Sequence, residues 1–289
     1  MFSHPKQAVS VVIPALNEEA AIVETVDQIR STLRMAGIEH EIIVVNDGST
    51  DKTGDLARQA GARVIDHPHP GGYGQSLKDG IRHASHPLIA ITDADGTYPI
   101  KELPTLLKEM QYYDMVIGAR TGAAYRGTLL KYPARKMFLW LCEFVTGRRI
   151  PDINSGLRVF TKEGVMPYFE TLCGGFSFTT TITLAYMLNG KFLKYIPIEY
   201  YKRIGSSKVR YFRDTLQTTQ IIVQAILYYN PIKLFLLLAA TALLPGIAAL
   251  IAAFFLGATY LIITMISFVG ALILFGIGLL ADLMRKQGS

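Results

Sequence analysis

Four short apolar runs, each broken off by a polar cluster, set the rhythm of the first hundred residues. They are Val9–Pro14, Glu41–Val45, Ala62–Ile65 and Pro87–Ile91. Runs of this length, rich in Val and Ile and bounded by Pro, Asn, Asp or Gly, predict buried strands. The stretches between them predict helices: one opening at Asn17-Glu18-Glu19 and reaching about Ala36, one from Asp51 to about Ala60, and one from Gln75. Strands alternating with helices imply an α/β domain with a mostly parallel sheet, in which ligands gather at the carboxyl ends of the strands. Asn17, Asp47 and Asp95 fall at such ends.

The pattern changes near the C-terminus. Leu234–Leu256 and Leu261–Ala281 carry no charge and are separated only by Gly257-Ala258-Thr259-Tyr260. At ~1.5 Å per residue, the 23 residues of the first reach about 34 Å, enough to cross a hydrocarbon core. Lys233 precedes the pair and Arg285-Lys286 follow it, so the positive-inside rule predicts a hairpin with both ends in the cytosol. Asp214–Tyr229 has apolar residues at amphipathic spacing. It predicts a helix that either lies on a membrane surface or packs on the preceding domain. The expected organisation is an α/β domain over 1–212, a juxtamembrane helix over 213–231 and a transmembrane hairpin over 232–289.

Charge narrows the choice of partners. The 289 residues carry 29 Lys and Arg against 23 Asp and Glu, a formal net charge of +6. Lys202, Arg203, Lys208, Arg210 and Arg213 cluster just ahead of the hairpin. Basic residues flanking apolar spans suit a cytoplasmic leaflet or phosphorylated substrates, and nothing resembles a nucleic-acid-binding module. Cys142 and Cys173 show no metal or disulfide spacing, which suits a reducing compartment. Met1–Lys6 has no apolar core of a signal peptide. The expected location is the cytoplasmic membrane, with the α/β domain and both termini in the cytosol; homo-oligomerisation is left open.

Asp93-Ala94-Asp95 is the most informative chemical feature, because two carboxylates where a strand ends can hold a hard divalent cation that shares its ligands with phosphates. Taken singly, each motif has a plain structural explanation. Asn46-Asp47-Gly48-Ser49 reads as a turn with a helix cap, and Gly71-Gly72-Tyr73-Gly74 is a weak phosphate-loop signal. His67-Pro68-His69 has no third ligand at zinc spacing, so solvated loop histidines are expected there. The ordered set, each member at a strand end, is what favours a functional reading.

That set resembles the family-2 glycosyltransferases of GT-A fold, and within them the dolichyl- or polyprenyl-phosphate mannose and glucose synthase group. The matching segments are Val12–Glu18, Val45–Asp51, Gly72-Tyr73-Gly74, Asp93–Gly96, Gly118-Ala119-Arg120, Asp152–Arg158 and Arg203–Lys208, in the family's order over roughly residues 8 to 210. The resemblance implies that Pro14, Leu16 and Glu18 flank a nucleotide base and that Asp47 contacts the base or ribose. It implies that Asp93, Ala94 and Asp95 border the diphosphate, with Asp95 the principal ligand of Mg²⁺ or Mn²⁺ and Asp93 beside it. Arg120, Arg203 and Lys208 surround the phosphates, and Arg135, Ser155, Arg203, Ser207 and Lys208 are expected near the phosphate of a lipid acceptor. Asn46 and Thr97 depart from residues common in the family, an Asp and a metal-binding Gln.

The implied reaction moves a hexose from a nucleoside-diphosphate sugar of the GDP-mannose or UDP-glucose type to polyprenyl phosphate, with inversion. Asp95, Asp152, Arg203 and Lys208 are the expected catalytic residues. Asp152 either orients acceptor or sugar or caps a turn, and the Arg203–Lys208 stretch has a polybasic anchor as its plainer reading. A processive polysaccharide synthase is the alternative in the same fold, but the only tryptophan, Trp140, lies outside any Gln-x-x-Arg-Trp motif. A silent scaffold and a pyrophosphatase-like hydrolase are the other competitors.

Overall fold

The computed structural model describes residues 8–122, 132–175, 177–203, 223, 224, 226, 227 and 230–287. Two compact units divide between Ile221 and Ile222. The first is built on one seven-stranded sheet: β1 (Ala8–Ala15), β2 (Glu39–Asn46), β3 (Arg63–Asp66), β4 (Leu88–Ile91), β5 (Met115–Thr121), β6 (Arg158–Thr161) and β7 (Leu193–Glu199). Their order is β3-β2-β1-β4-β6-β5-β7, parallel throughout except for β6, which runs against both β4 and β5.

Alternation along the strands divides the core into two faces. In the register that sets Val12 against Ile43 and Ile13 against Val44, odd and even residues face opposite layers. Val9, Val11, Ile13 and Val44 pack under α1 (Ile22–Met35), α2 (Thr53–Gln59) and α4 (Leu103–Glu109). Val12, Ile43, Val45 and Ile91 pack under α3 (Tyr73–His83) and α7 (Phe178–Leu188). Along the chain, α5 (Tyr132–Thr146) follows β5 and the single turn α6 (Lys162–Val165) follows β6.

Helix α1 starts at Ile22 rather than at the expected Asn17-Glu18-Glu19, because those residues are tied to the loop after β2. The amides of Asn17, Glu18 and Glu19 donate to Ser49 Oγ, Thr53 Oγ1 and Asp51 Oδ2 at 2.9, 2.8 and 3.3 Å. Asn17 sits at φ 51°, a left-handed conformation that asparagine tolerates better than most residues. Its side-chain oxygen accepts from the Thr50 amide at 2.7 Å.

The second unit contains α8 (Pro231–Leu256) and α9 (Leu261–Gln287), both long and apolar enough to cross a membrane. They meet through small residues. A methyl group added at Gly246 would lie 2.6 Å from Ser267 Cβ, and one at Gly278 2.6 Å from Phe235 Cβ. Close backbone approach of this kind is how helices associate where no hydrophobic drive separates helix from surroundings. Thr264 Oγ1 donates to the Gly246 carbonyl at 3.2 Å, next to Pro245, which cannot donate to the helix ladder. The expected amphipathic helix over 214–229 lies largely outside the described residues.

Candidate active site

Because β6 runs backwards, its entry segment from Asp152 reaches the same sheet edge as the carboxyl ends of β1, β2, β4, β5 and β7. Glu18, Asp47, Asp93, Asp95, Arg120, Asp152 and Arg203 therefore collect along one rim.

Asp95 is buried and oriented. Its Oδ1 accepts from the Thr97 amide at 3.1 Å and from Thr97 Oγ1 at 2.6 Å, while Oδ2 faces Arg203 Nε at 3.4 Å. Thr97 thus sets the rotamer of Asp95, and its carbonyl accepts from the Tyr201 amide at 2.9 Å, which brings the segment after β7 to the site. Arg203 then reaches Glu18 Oε1 through Nη2 at 2.5 Å. Burial opposes the charge on Arg203, but Asp95 and Glu18 outweigh it and hold the guanidinium above its ordinary value. Its Nε is buried with no hydrogen bond among the described residues, so the fork is only partly engaged.

Asp93 lies deeper. Burial and the adjacent Asp95 carboxylate push it up to about 6, against a 3.0 Å hydrogen bond donated by the Tyr73 hydroxyl to Oδ1. A methyl at Gly156 would come within 2.8 Å of the same carboxylate, so glycine there lets the β6 entry segment pass. Tyr73, Thr97 and Gly156 are site residues that local pattern did not single out beyond their motifs. The roles of Tyr73 and Gly156 depend on pairing across 20 residues or more; that of Thr97 is local.

Asp152 and Arg120 form a bidentate pair, with Nε to Oδ2 at 2.7 Å and Nη2 to Oδ1 at 2.9 Å. The Arg120 and Asn154 amides add bonds at 3.1 and 3.2 Å. Burial opposes ionisation of Asp152, but the Arg120 hydrogen bonds and charge prevail and hold the carboxyl below its usual range. The Arg120 guanidinium also lies 5.3 Å from the centroid of the Tyr200 ring, a cation–π contact.

Asp47 faces inward. Its carboxylate accepts from the Gly71 and Gly72 amides at 2.8 and 2.9 Å and from His67 Nδ1 at 2.7 Å. The anion in the glycine loop is thus the protein's own. His67 Nε2 sits 3.3 Å from Asp79 Oδ2, so the imidazole bridges two carboxylates. His67 is mostly buried rather than solvated as expected; only His69 is exposed. Gly72 adopts φ 102°, and a methyl at Gly74 would lie 2.2 Å from the Cys173 carbonyl, so each glycine has a separate steric cause.

The remaining expected residues are spread. Pro14 and Leu16, both half-buried, stand at the end of β1 and just beyond it. Ala94 points into the core, with its carbonyl accepting from Thr25 Oγ1 at 3.1 Å. Ser155 is fully buried, and its hydroxyl donates to the Gly118 carbonyl at 2.5 Å. Arg158 is likewise fully buried and donates to the carbonyls of Ile153, Ser155 and Thr179 and to Thr183 Oγ1. Ser207, Lys208 and the side chain of Arg135 lie outside the described residues.

Among the described residues no three His, Cys, Asp or Glu side chains converge on a metal-sized space. Asp93 and Asp95 alone still fit a Mg²⁺ or Mn²⁺ ion, since such ions commonly take one or two carboxylates and complete their shell with substrate phosphates and water. The mutual repulsion that raises Asp93 is what a divalent cation would relieve.

The family model for glycosyl transferase family 2 matches residues 10–169, and the chain belongs to that family. It is 31% identical over 220 residues to the dolichyl-phosphate hexose transferase of Haloferax volcanii, covering 75% of this chain and 93% of that protein. It is 31% identical over 214 residues to the low-salt glycan biosynthesis hexosyltransferase Agl6 of the same organism, covering 71% of this chain but only half of that longer relative. In structure it resembles glucosyl-3-phosphoglycerate synthase from Mycobacterium tuberculosis, solved with Mg²⁺ and UDP. The TM-score is 0.63 at 20% identity, over 76% of this chain and 79% of that one. That likeness supports the GT-A fold, with its mixed, mostly parallel sheet.

Proposed function

We propose that this glycosyltransferase moves a hexose from a nucleoside-diphosphate sugar to a polyprenyl phosphate at a cytoplasmic membrane face. The observation that carries the reading is the Glu18–Arg203–Asp95 cluster at the sheet's carboxyl edge. A diphosphate brought beside an acceptor phosphate concentrates negative charge, and a guanidinium fork presented among carboxylates is suited to receive it. The two apolar helices and the likeness to a dolichyl-phosphate hexose transferase support the lipid acceptor.

In this reading Asp93 and Asp95 hold Mg²⁺ or Mn²⁺, which when bound neutralises charge on the departing diphosphate. Arg203 contacts the phosphates, joined by Lys208. Arg120 borders the donor, and Asp152 keeps its planar fork aimed. Asp152 is held ionised by that partner, so it positions Arg120 rather than accepting a proton. No strong base is required, because the acceptor phosphate is already anionic near neutral pH. Pro14, Leu16 and Glu18 line the donor side.

The test incubates the purified full chain with dolichyl phosphate and, in turn, GDP-mannose and UDP-glucose, with Mn²⁺ or Mg²⁺. A lipid-linked monosaccharide formed from one donor is the expected product. Release of free hexose at a rate indifferent to the lipid would refute the proposal in favour of a hydrolase.

A further inference from the structure

Helix α5 places Met137, Trp140 and Phe144 on one stripe, at the three- and four-residue spacing of a single helical face. All three are exposed, Trp140 by 51% and Met137 by 70%, whereas Cys142 and Val145 on the opposite side are buried. Trp140 and Phe144 stack on each other with ring centroids 5.7 Å apart and planes 20° apart. Phe192, 65% exposed, follows Lys191, whose carbonyl accepts a 2.8 Å hydrogen bond from Arg148 just beyond the end of α5.

The rim of this patch is basic. Lys136, Arg148, Arg149 and Lys191 surround it, and all are exposed or nearly so. Of the acids nearby, Glu143 accepts from the Ile150 amide at 2.8 Å, while Asp114 accepts from the Phe192 amide at 2.8 Å and pairs with Lys191 Nζ at 3.4 Å, so the charge of the rim rests on Lys136, Arg148 and Arg149 more than on Lys191. An aromatic centre with a cationic rim is the surface that seats at the headgroup boundary of an anionic bilayer. Tryptophan takes the interface and each nearby cation adds to the attraction.

We propose that the outward face of α5, with Phe192, docks on the surface of an anionic membrane and holds the catalytic domain against it. The proposal rests on the membrane-bound reading above. A second copy of the chain would suit the apolar stripe but not its rim, where two like sets of cations would face each other.

Trp140 is the only tryptophan, so its fluorescence reports this patch alone. The full chain is reconstituted in phosphatidylcholine vesicles with and without phosphatidylglycerol, and flotation records insertion of the hairpin independently. The expected result with phosphatidylglycerol is a blue-shifted emission, loss of most acrylamide quenching, and quenching by lipids brominated near the carbonyl end of the acyl chain. The triple variant Lys136→Glu, Arg148→Glu, Arg149→Glu is expected to float equally well yet to lose the lipid quenching. Vesicles that float while Trp140 stays open to acrylamide would overturn the docking and leave the membrane-bound reading intact. Failure to float would overturn both. Shielding from acrylamide that grows with protein-to-lipid ratio, without lipid quenching, would overturn the proposal in favour of a second copy.

Discussion

Arg203 faces two carboxylates at once, Glu18 through Nη2 and Asp95 through Nε. A lysine could keep the charge but not both contacts. A charge-assisted hydrogen bond such as that to Glu18 contributes about 1.5–3 kcal/mol, so Arg203→Lys is expected to lower kcat/KM about 10–100-fold. Steady-state transfer assays check this, and a nearly silent variant would return Arg203 to the role of a generic anchor. Asp95→Asn separates chemistry from folding. The amide oxygen can still accept both Thr97 bonds, so the melting curve should hardly move while most transfer is lost at every Mn²⁺ concentration. Asp47 should behave oppositely, as a structural anion. Asp47→Asn weakens three accepted bonds and is expected to cost about 1–3 kcal/mol, a fall in Tm of about 2–4 °C per kcal/mol. Burial opposes its charge, but His67 and the two glycine amides hold the folded-state pKa below the ordinary value. Its contribution is therefore complete above the unfolded carboxylate value of about 3.9 and fades as pH falls through the lower folded value. Melting wild type and Asp47→Asn from pH 8 downward should show a constant gap that narrows only below about pH 4.

At the scale of elements, the strands read from Val9–Pro14, Glu41–Val45, Ala62–Ile65 and Pro87–Ile91 are all present, because each is apolar on both faces and punctuated at its end. Strand β6 has no such signature. It is four residues long and opens with Arg158, whose full burial is tolerable only because four acceptors, two in the segment just before it and two in α7, receive five hydrogen bonds from its donors. Its insertion between β4 and β5 is likewise a long-range choice that no local period encodes. The same holds for His67. Nothing beside it shows that Asp47 and Asp79, each 20 or 12 residues away, will close on both ring nitrogens. Asp95 and Arg203 were readable as chemistry, but not the role of Thr97 as the bracket that aims one and delivers the other. The glycine loop offers a direct test of these element contacts. Gly74→Ala drives a methyl to 2.2 Å from the Cys173 carbonyl, a backbone atom that cannot step aside cheaply. Overpacking of this kind costs about 1–3 kcal/mol. Gly174→Ala meets nothing nearer than Gln75 Oε1 at 3.9 Å and has no positive φ, so it should leave Tm within about 2 °C of wild type. Equal effects of the two would mean that α3 does not seat on this segment.

For the whole molecule, the first unit has its own two-faced core and every described residue of the rim, while the second consists of two apolar helices held by small-residue contacts. This division predicts separable losses. Truncation after Tyr229 removes both long helices and none of the rim, so the remaining domain should keep its fold and bind nucleoside-diphosphate sugar with Mn²⁺. It should transfer poorly to a long-chain lipid in vesicles, because donor and acceptor no longer share one surface. A short water-soluble polyprenyl phosphate should restore much of the rate, since the acceptor then diffuses to the rim unaided. Calorimetric titration of the donor and product formation with the two acceptors are the measurements. Unchanged transfer to the long-chain lipid would make the helices dispensable for catalysis. Loss of donor binding would mean instead that they help to build the domain they follow.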